Sequence, residues 1–140
     1  MQKKSLSGSD RERVVKTITD ILAAKASISF AYIFGSFASE NSFNDIDVAI
    51  FVSVEKTTSP LSLELAMECE LEDAVHMPVD VRVINNAPVS FIYNVLKSGF
   101  VILDRDRSLR SDFEVAAYKK YFDLQYLRRE YLRDVADAPI

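Results

Sequence analysis

The segment Asp45-Ile46-Asp47-Val48-Ala49-Ile50-Phe51-Val52 constrains the fold more than any other stretch of the 140 residues. Strand side chains alternate between faces, so Ile46, Val48, Ile50 and Val52 point one way, into a core, while Asp45 and Asp47 point the other. Aspartate is depleted from strands, so the pattern requires both a buried sheet and a use for its acidic side. Val79-Asp80-Val81-Arg82-Val83-Ile84 repeats the arrangement, with Val79, Val81 and Val83 on one face and Asp80 and Arg82 on the other. In neighbouring, registered strands, Asp45, Asp47 and Asp80 converge. Two carboxylates about 5 Å apart repel by roughly 3 kcal/mol at an effective dielectric of 20. That is a large share of a domain's net stability, so the cluster needs a cation or a proton. Mg2+ suits hard oxygen ligands shared between carboxylates and phosphates. Two such ions can polarise the attacking and leaving oxygens of an in-line phosphoryl displacement.

The remaining segments surround these strands with helices. Ser9-Asp10-Arg11-Glu12 has the form of a capping box, and Val14, Ile18, Ile21 and Leu22 predict a helix from about Asp10 to Ala26. Ile28 to Phe34 is a strand that stops at Gly35-Ser36, with a short turn or helix before Asp45. Ser59-Pro60 opens a helix over Leu61 to His76, with Leu61, Leu65, Cys69 and Glu72 on one side and Cys69 expected in the core. Val89 to Ser98 is a helix with Gly99 as its left-handed stop, and Phe100 to Leu103 is a short strand. Ser111-Asp112-Phe113-Glu114 is a second capping-box pattern opening a long helix over 111–135, about 36 Å at 1.5 Å per residue. The expected fold is α+β, a small mixed sheet with helices packed on one face and a long C-terminal helix. Residues 1–8 are expected as a flexible tail and 9–140 as one domain.

Gly35-Ser36 follows a strand directly. A glycine there lets a phosphate approach the backbone, and a following helix start supplies free N–H groups, with the Ser36 hydroxyl as a further donor. Each feature also has an ordinary structural explanation. A Gly-Ser after a strand is commonly a turn, Asp45 can cap a turn, and Asp80 can pair with Arg82. It is their combination, with matching strand parity, that points to a phosphate cradle facing a metal site.

Composition removes other classes. With 49% apolar and 27% charged residues the chain can build one core. Seventeen Lys and Arg against 21 Asp and Glu leave a net charge of −4, so no global positive field attracts nucleic acid or anionic lipid, and no direct nucleic-acid binding is expected. One cysteine and one histidine, Cys69 and His76, cannot complete a closed zinc site, and His76 reads as a helix-end residue. The longest mostly apolar runs, Ile28 to Phe34 and Ile46 to Val54, are far below the roughly 20 residues that span a bilayer. No secretory signal follows Lys3-Lys4, so no membrane contact and a cytoplasmic location are expected. Lys119, Lys120, Arg128, Arg129 and Arg133 read as a solvated basic face.

Ile33-Phe34-Gly35-Ser36-Phe37-Ala38 followed by Asn44-Asp45-Ile46-Asp47-Val48-Ala49 resembles the signature of the polymerase-β-like nucleotidyltransferases. Val79-Asp80-Val81 looks like that superfamily's third-carboxylate strand. The chain's size, together with Val101 to Asp106, Asp112-Phe113-Glu114 and Tyr121-Phe122-Asp123, is similar to the minimal nucleotidyltransferase (MNT) group of HEPN/MNT toxin–antitoxin pairs. The resemblance implies AMP transfer from ATP, with Gly35 and Ser36 at the triphosphate, Asp45 and Asp47 holding two Mg2+ ions, and Asp80 as third metal ligand and proton acceptor. It also implies an acceptor tyrosine on a cognate HEPN ribonuclease toxin, silenced by the modification within a hetero-oligomer. One departure is plain: only eight residues, Phe37 to Asn44, separate Ser36 from Asp45, a shorter loop than the family's, with Ser39-Glu40-Asn41 where a glycine is common. The competing functions are an antitoxin that only masks its partner through Tyr121, Phe122, Tyr126 and Tyr131, and a small-molecule nucleotidyltransferase. The latter needs an additional substrate domain for which 140 residues leave little room.

Overall fold

The computed structural model describes residues 4–53 and 59–138. Residues 1–3 of the expected tail and Val54 of the apolar run lie outside them. In chain order the elements are β1 (Lys4–Ser5), α1 (Gly8–Ala23), β2 (Ile28–Phe34), α2 (Ser36–Ser39), β3 (Ser42–Phe43), β4 (Ile46–Val52), α3 (Pro60–Val75), β5 (Val79–Val83), α4 (Val89–Ser98), β6 (Phe100–Asp104) and α5 (Arg107–Asp137). Strands β5-β4-β2-β6 form a mixed sheet, parallel only between β4 and β5, and β1 and β3 form a separate two-stranded ribbon.

The class is α+β with a long final helix, as expected, but the helices divide between both faces of the sheet. One face carries Ile28, Ala31, Ile33, Ile46, Val48, Ile50, Val79 and Val81 beneath Ile18 and Leu22 of α1 and Met67 and Leu71 of α3. The other carries Phe30, Tyr32, Phe34 and Ala49 beneath Val95 of α4, with Leu109 and Phe113 of α5 against its margin. There Phe30 stacks on Phe51, ring centres 4.6 Å apart, and Phe113 meets both rings. The second cover is possible because β2 is apolar on both sides, as central strands are.

Several boundaries move for local reasons. The cap of α1 is Ser7, whose hydroxyl accepts from the Asp10 N–H at 3.2 Å, so Ser9 is already helical. Lys4 and Ser5, within the expected tail, form β1 and pair with β3. In α3 the buried series is Leu63, Met67, Leu71 and Val75, while Leu61, Leu65 and Cys69 face outward. Both series run at helical spacing, and packing on α1 and β5 selects the first. His76 takes the left-handed C-cap of α3 at φ 58°. Gly99 is extended instead of left-handed, and is required because a Cβ there would lie 2.6 Å from Val95 O and 2.7 Å from Ile33 O. Helix α5 starts at Arg107, capped by Asp106 through the Leu109 N–H at 3.0 Å. Glu114 is thereby freed from a capping box and accepts from the Tyr32 hydroxyl at 2.7 Å, tying α5 to the sheet. Arg110 bridges Glu114 at 3.1 Å and Asp104 at 2.8 Å. Burial and the Glu114 carboxylate push the Tyr32 phenol well above its usual range. No helix among the described residues is long and apolar enough to cross a membrane.

Candidate active site

The site lies where β2 ends and β4 and β5 begin. Phe34 pairs with Asp47 across β2 and β4, and Asp47 pairs with Asp80 across the parallel β4–β5 ladder. Directly paired residues share a face, so the two carboxylates stand side by side on the α4/α5 face. Asp45 precedes β4, close enough for its charge to act on Asp47. The Asp47 carboxyl is pushed up to about 6, first by burial, then by Asp45 and Asp80, with Arg82 opposing. The expected repulsion is therefore present. Asp80 does pair with Arg82, but at 3.5 Å between side chains 42% and 56% exposed. Such a pair is worth little and does not neutralise the cluster.

Gly35 turns the chain from β2 into α2 with φ 76°, and a Cβ there would collide with Asp47 Oδ2. Only glycine allows the Asp47 carboxylate to sit against that turn. Ser36 begins α2, whose first N–H groups have no intrahelical acceptor. All five expected positions, Gly35, Ser36, Asp45, Asp47 and Asp80, thus meet at one end of the sheet. Among the described residues no group of three or more His, Cys, Asp or Glu side chains is gathered closely enough to hold a metal ion by itself. The donor set nevertheless fits Mg2+ in kind: hard carboxylate oxygens, Asp47 among them raised first by burial and then by Asp45 and Asp80, with phosphate and water as the usual further ligands.

Two residues at the site were missed from sequence. Ser98, at the end of α4, accepts the Gly35 N–H at 3.3 Å and donates to Asn94 O at 2.8 Å. Nothing in its local sequence signals this. Arg11 of α1 donates to Phe37 O at 2.5 Å, Glu40 O at 2.7 Å and Asn41 O at 3.2 Å. Its guanidinium also lies over the Phe37 ring, 4.7 Å from the centre. One side chain thereby ties down the shortened loop between Ser36 and Asp45, and an arginine in an apparent capping box gave no hint of it.

Comparison with known proteins bears on the fold. The chain is similar in structure to a chain of the tri-AMPylated Shewanella oneidensis HEPN toxin in complex with MNT antitoxin, with a TM-score of 0.70, 20% identity, and coverage of 90% of this chain and 98% of that one. It is also similar to the toxin–antitoxin MntA-HepT, with a TM-score of 0.63, 19% identity, and coverage of 93% and 99%. A toxin–antitoxin structure with AMP-PNP gives a TM-score of 0.64 at 22% identity, covering 90% and 98%. These likenesses concern the fold. No curated protein matches the sequence. The model of the family described as polymerase beta, nucleotidyltransferase matches residues 16–108, a span containing the Gly-Ser turn and all three aspartates. With two thirds of its length so matched, the chain belongs to the polymerase β nucleotidyltransferase family.

Proposed function

We propose that the protein is a Mg2+-dependent enzyme that moves AMP from ATP to a tyrosine hydroxyl of a HEPN-family ribonuclease and thereby acts as its antitoxin. The observation that carries this is the Asp47–Asp80 pairing with Asp45 beside it, in contact with the Gly35 turn. The fold shared with MNT chains solved with HEPN toxins supports the choice of partner, and the related structure with AMP-PNP supports ATP. Asp45, Asp47 and Asp80 would hold the metal, which when bound neutralises phosphate charge and polarises the reacting oxygens. Gly35, which lets the phosphates approach the turn, and Ser36 receive the triphosphate, Ser36 through its backbone N–H and hydroxyl. Asp80, whose side chain is 42% exposed, accepts the tyrosine proton as the phenolic oxygen bonds to the α-phosphorus and pyrophosphate leaves. The cytoplasm is the compartment that suits these reactants.

Incubation with a HEPN-family toxin as partner, labelled ATP and Mg2+ tests the proposal. Stable label on the toxin, and an intact mass raised by whole AMP units, is the expected result. A folded protein that transfers none overturns it. Masking by binding alone is favoured by one feature, the exposed Phe122, Tyr126 and Tyr131 of α5. Asp47→Asn separates the two: under masking, protection from the toxin survives the substitution, and under modification it is lost while the complex still forms.

A further inference from the structure

Strand β5 is an edge of the sheet, with β4 on one side only. Its Ile84 N–H neighbour donates to Ile50 O at 2.9 Å, so by the alternation of strand amides those of Asp80 and Arg82 also face β4. The amides of Val79, Val81 and Val83 face away, the row that an edge strand ordinarily leaves to water or to another chain. Here three carboxylates of α3 take it. Val79 N–H donates to Glu72 Oε2 at 3.0 Å, Val81 N–H to Glu68 Oε1 at 3.0 Å and Val83 N–H to Glu64 Oε2 at 2.8 Å. The match is one of pitch. Four residues of helix advance about 6 Å and two residues of strand about 6.6 Å, so glutamates at every fourth position stay abreast of alternate amides. Two of the three rungs grip the chain on either side of Asp80, whose own side chain has, among the described residues, only the loose Arg82 pair.

We infer that Glu68 and Glu72 are positioning residues for AMP transfer, fixing the edge strand through the Val79 and Val81 amides so that Asp80 stays in register with Asp47. The inference rests on the role given to Asp80 above. Its test compares Glu68→Leu, Glu68→Gln and Glu64→Leu by amide hydrogen exchange, thermal melting, and kcat and KM for ATP. In Glu68→Leu the amides of Val81 and Asp80 should exchange faster and kcat fall about tenfold, the scale of losing a residue that orients a ligand. KM for ATP should change far less. Glu68→Gln, which keeps a carbonyl acceptor, should restore both. Glu64→Leu removes an equivalent bond one rung further from Asp80, and should open Val83 with little loss of kcat. Glu72→Leu substitutes if Glu68→Leu is too unstable. Equal kcat losses in Glu64→Leu and Glu68→Leu, tracking melting temperature, would overturn the inference, as would an unchanged kcat in Glu68→Leu despite an opened Val81 amide. The Asp80 amide reports the register even if no AMP is transferred: unaltered exchange there in Glu68→Leu refutes the clamp, whereas absent transfer with altered exchange refutes the enzymatic role instead.

Discussion

The two faces of the central sheet are made by the same strands and put them to opposite uses. Under α1 and α3, Ile46, Val48, Ile50, Val79 and Val81 are covered throughout. Under α4 and α5 the cover reaches Ala49 and Phe51 and stops short of Asp47 and Asp80. The first face is specified by volume and apolarity, the second at its open end by charge held where charge is disfavoured. Stability and chemistry are thus separated by one pleat, and a substitution's effect depends on the parity of its position.

The largest expected contrast is between neighbours on β4. Asp47→Ala and Asp45→Ala should each lower AMP transfer by at least about 10³-fold, as loss of a charge-stabilising group does, with little change in urea midpoint because repulsion is relieved as contacts are lost. Ile50→Ala should do the reverse, costing about 2–5 kcal/mol of stability while the folded fraction keeps its activity. Unfolding of both aspartate variants would erase the distinction between the faces. Next in size is Gly35→Ala. The positive φ and the clash with Asp47 Oδ2 should reduce transfer about 10²-fold through misplaced groups, while equilibrium unfolding registers a loss of about 1 kcal/mol or more.

The smallest effect sharpens the electrostatic half of the contrast. The Asp47 pKa is raised from 3.8 to about 6 in the folded chain, so the native state holds this proton more tightly than the unfolded state. The resulting stabilisation is complete below pH 3.8 and is lost as pH rises through about 6. In metal-free buffer, Asp47→Asn should therefore gain on the parent between pH 4 and 7, by about 1 kcal/mol once solvent screening of this half-exposed group is allowed for. Paired denaturation curves across that range measure it, and a gain in the opposite direction would mean that Asp47 is stabilised as an anion.

Much of this contrast was legible in the sequence because it depends on parity. The alternation in 46–52 and 79–84 placed Asp47, Asp80 and their core partners, and Gly35-Ser36 marked the turn beside them; Asp45, expected in the same strand, lies just before β4. What escaped were features fixed by distant partners. Whether α3 buries Leu61, Leu65 and Cys69 or Leu63, Met67 and Leu71 depends on what it packs against, since both series have helical spacing. Glu114 looked like a helix cap because its true partner, Tyr32, is 82 residues away. The second helical layer was hidden because β2 reads simply as apolar, and two apolar sides do not reveal what covers each. Arg11 reaches the loop near Glu40 only because the fold brings α1 beside it.

Helix α5 is 31 residues long, yet its last apolar anchors on the domain are the Tyr93–Tyr121 stack and Phe122 at its margin. From Leu124 onward Leu127, Tyr131, Leu132 and Val135 are largely exposed. The anchored part has already met the cost of nucleation, so each later turn is added or lost singly, near the neutral balance of a helix in water. Order in that half is consequently a graded quantity. Far-ultraviolet ellipticity should drift with temperature well before the cooperative melt, and anything that grips the exposed residues will register as gained helix.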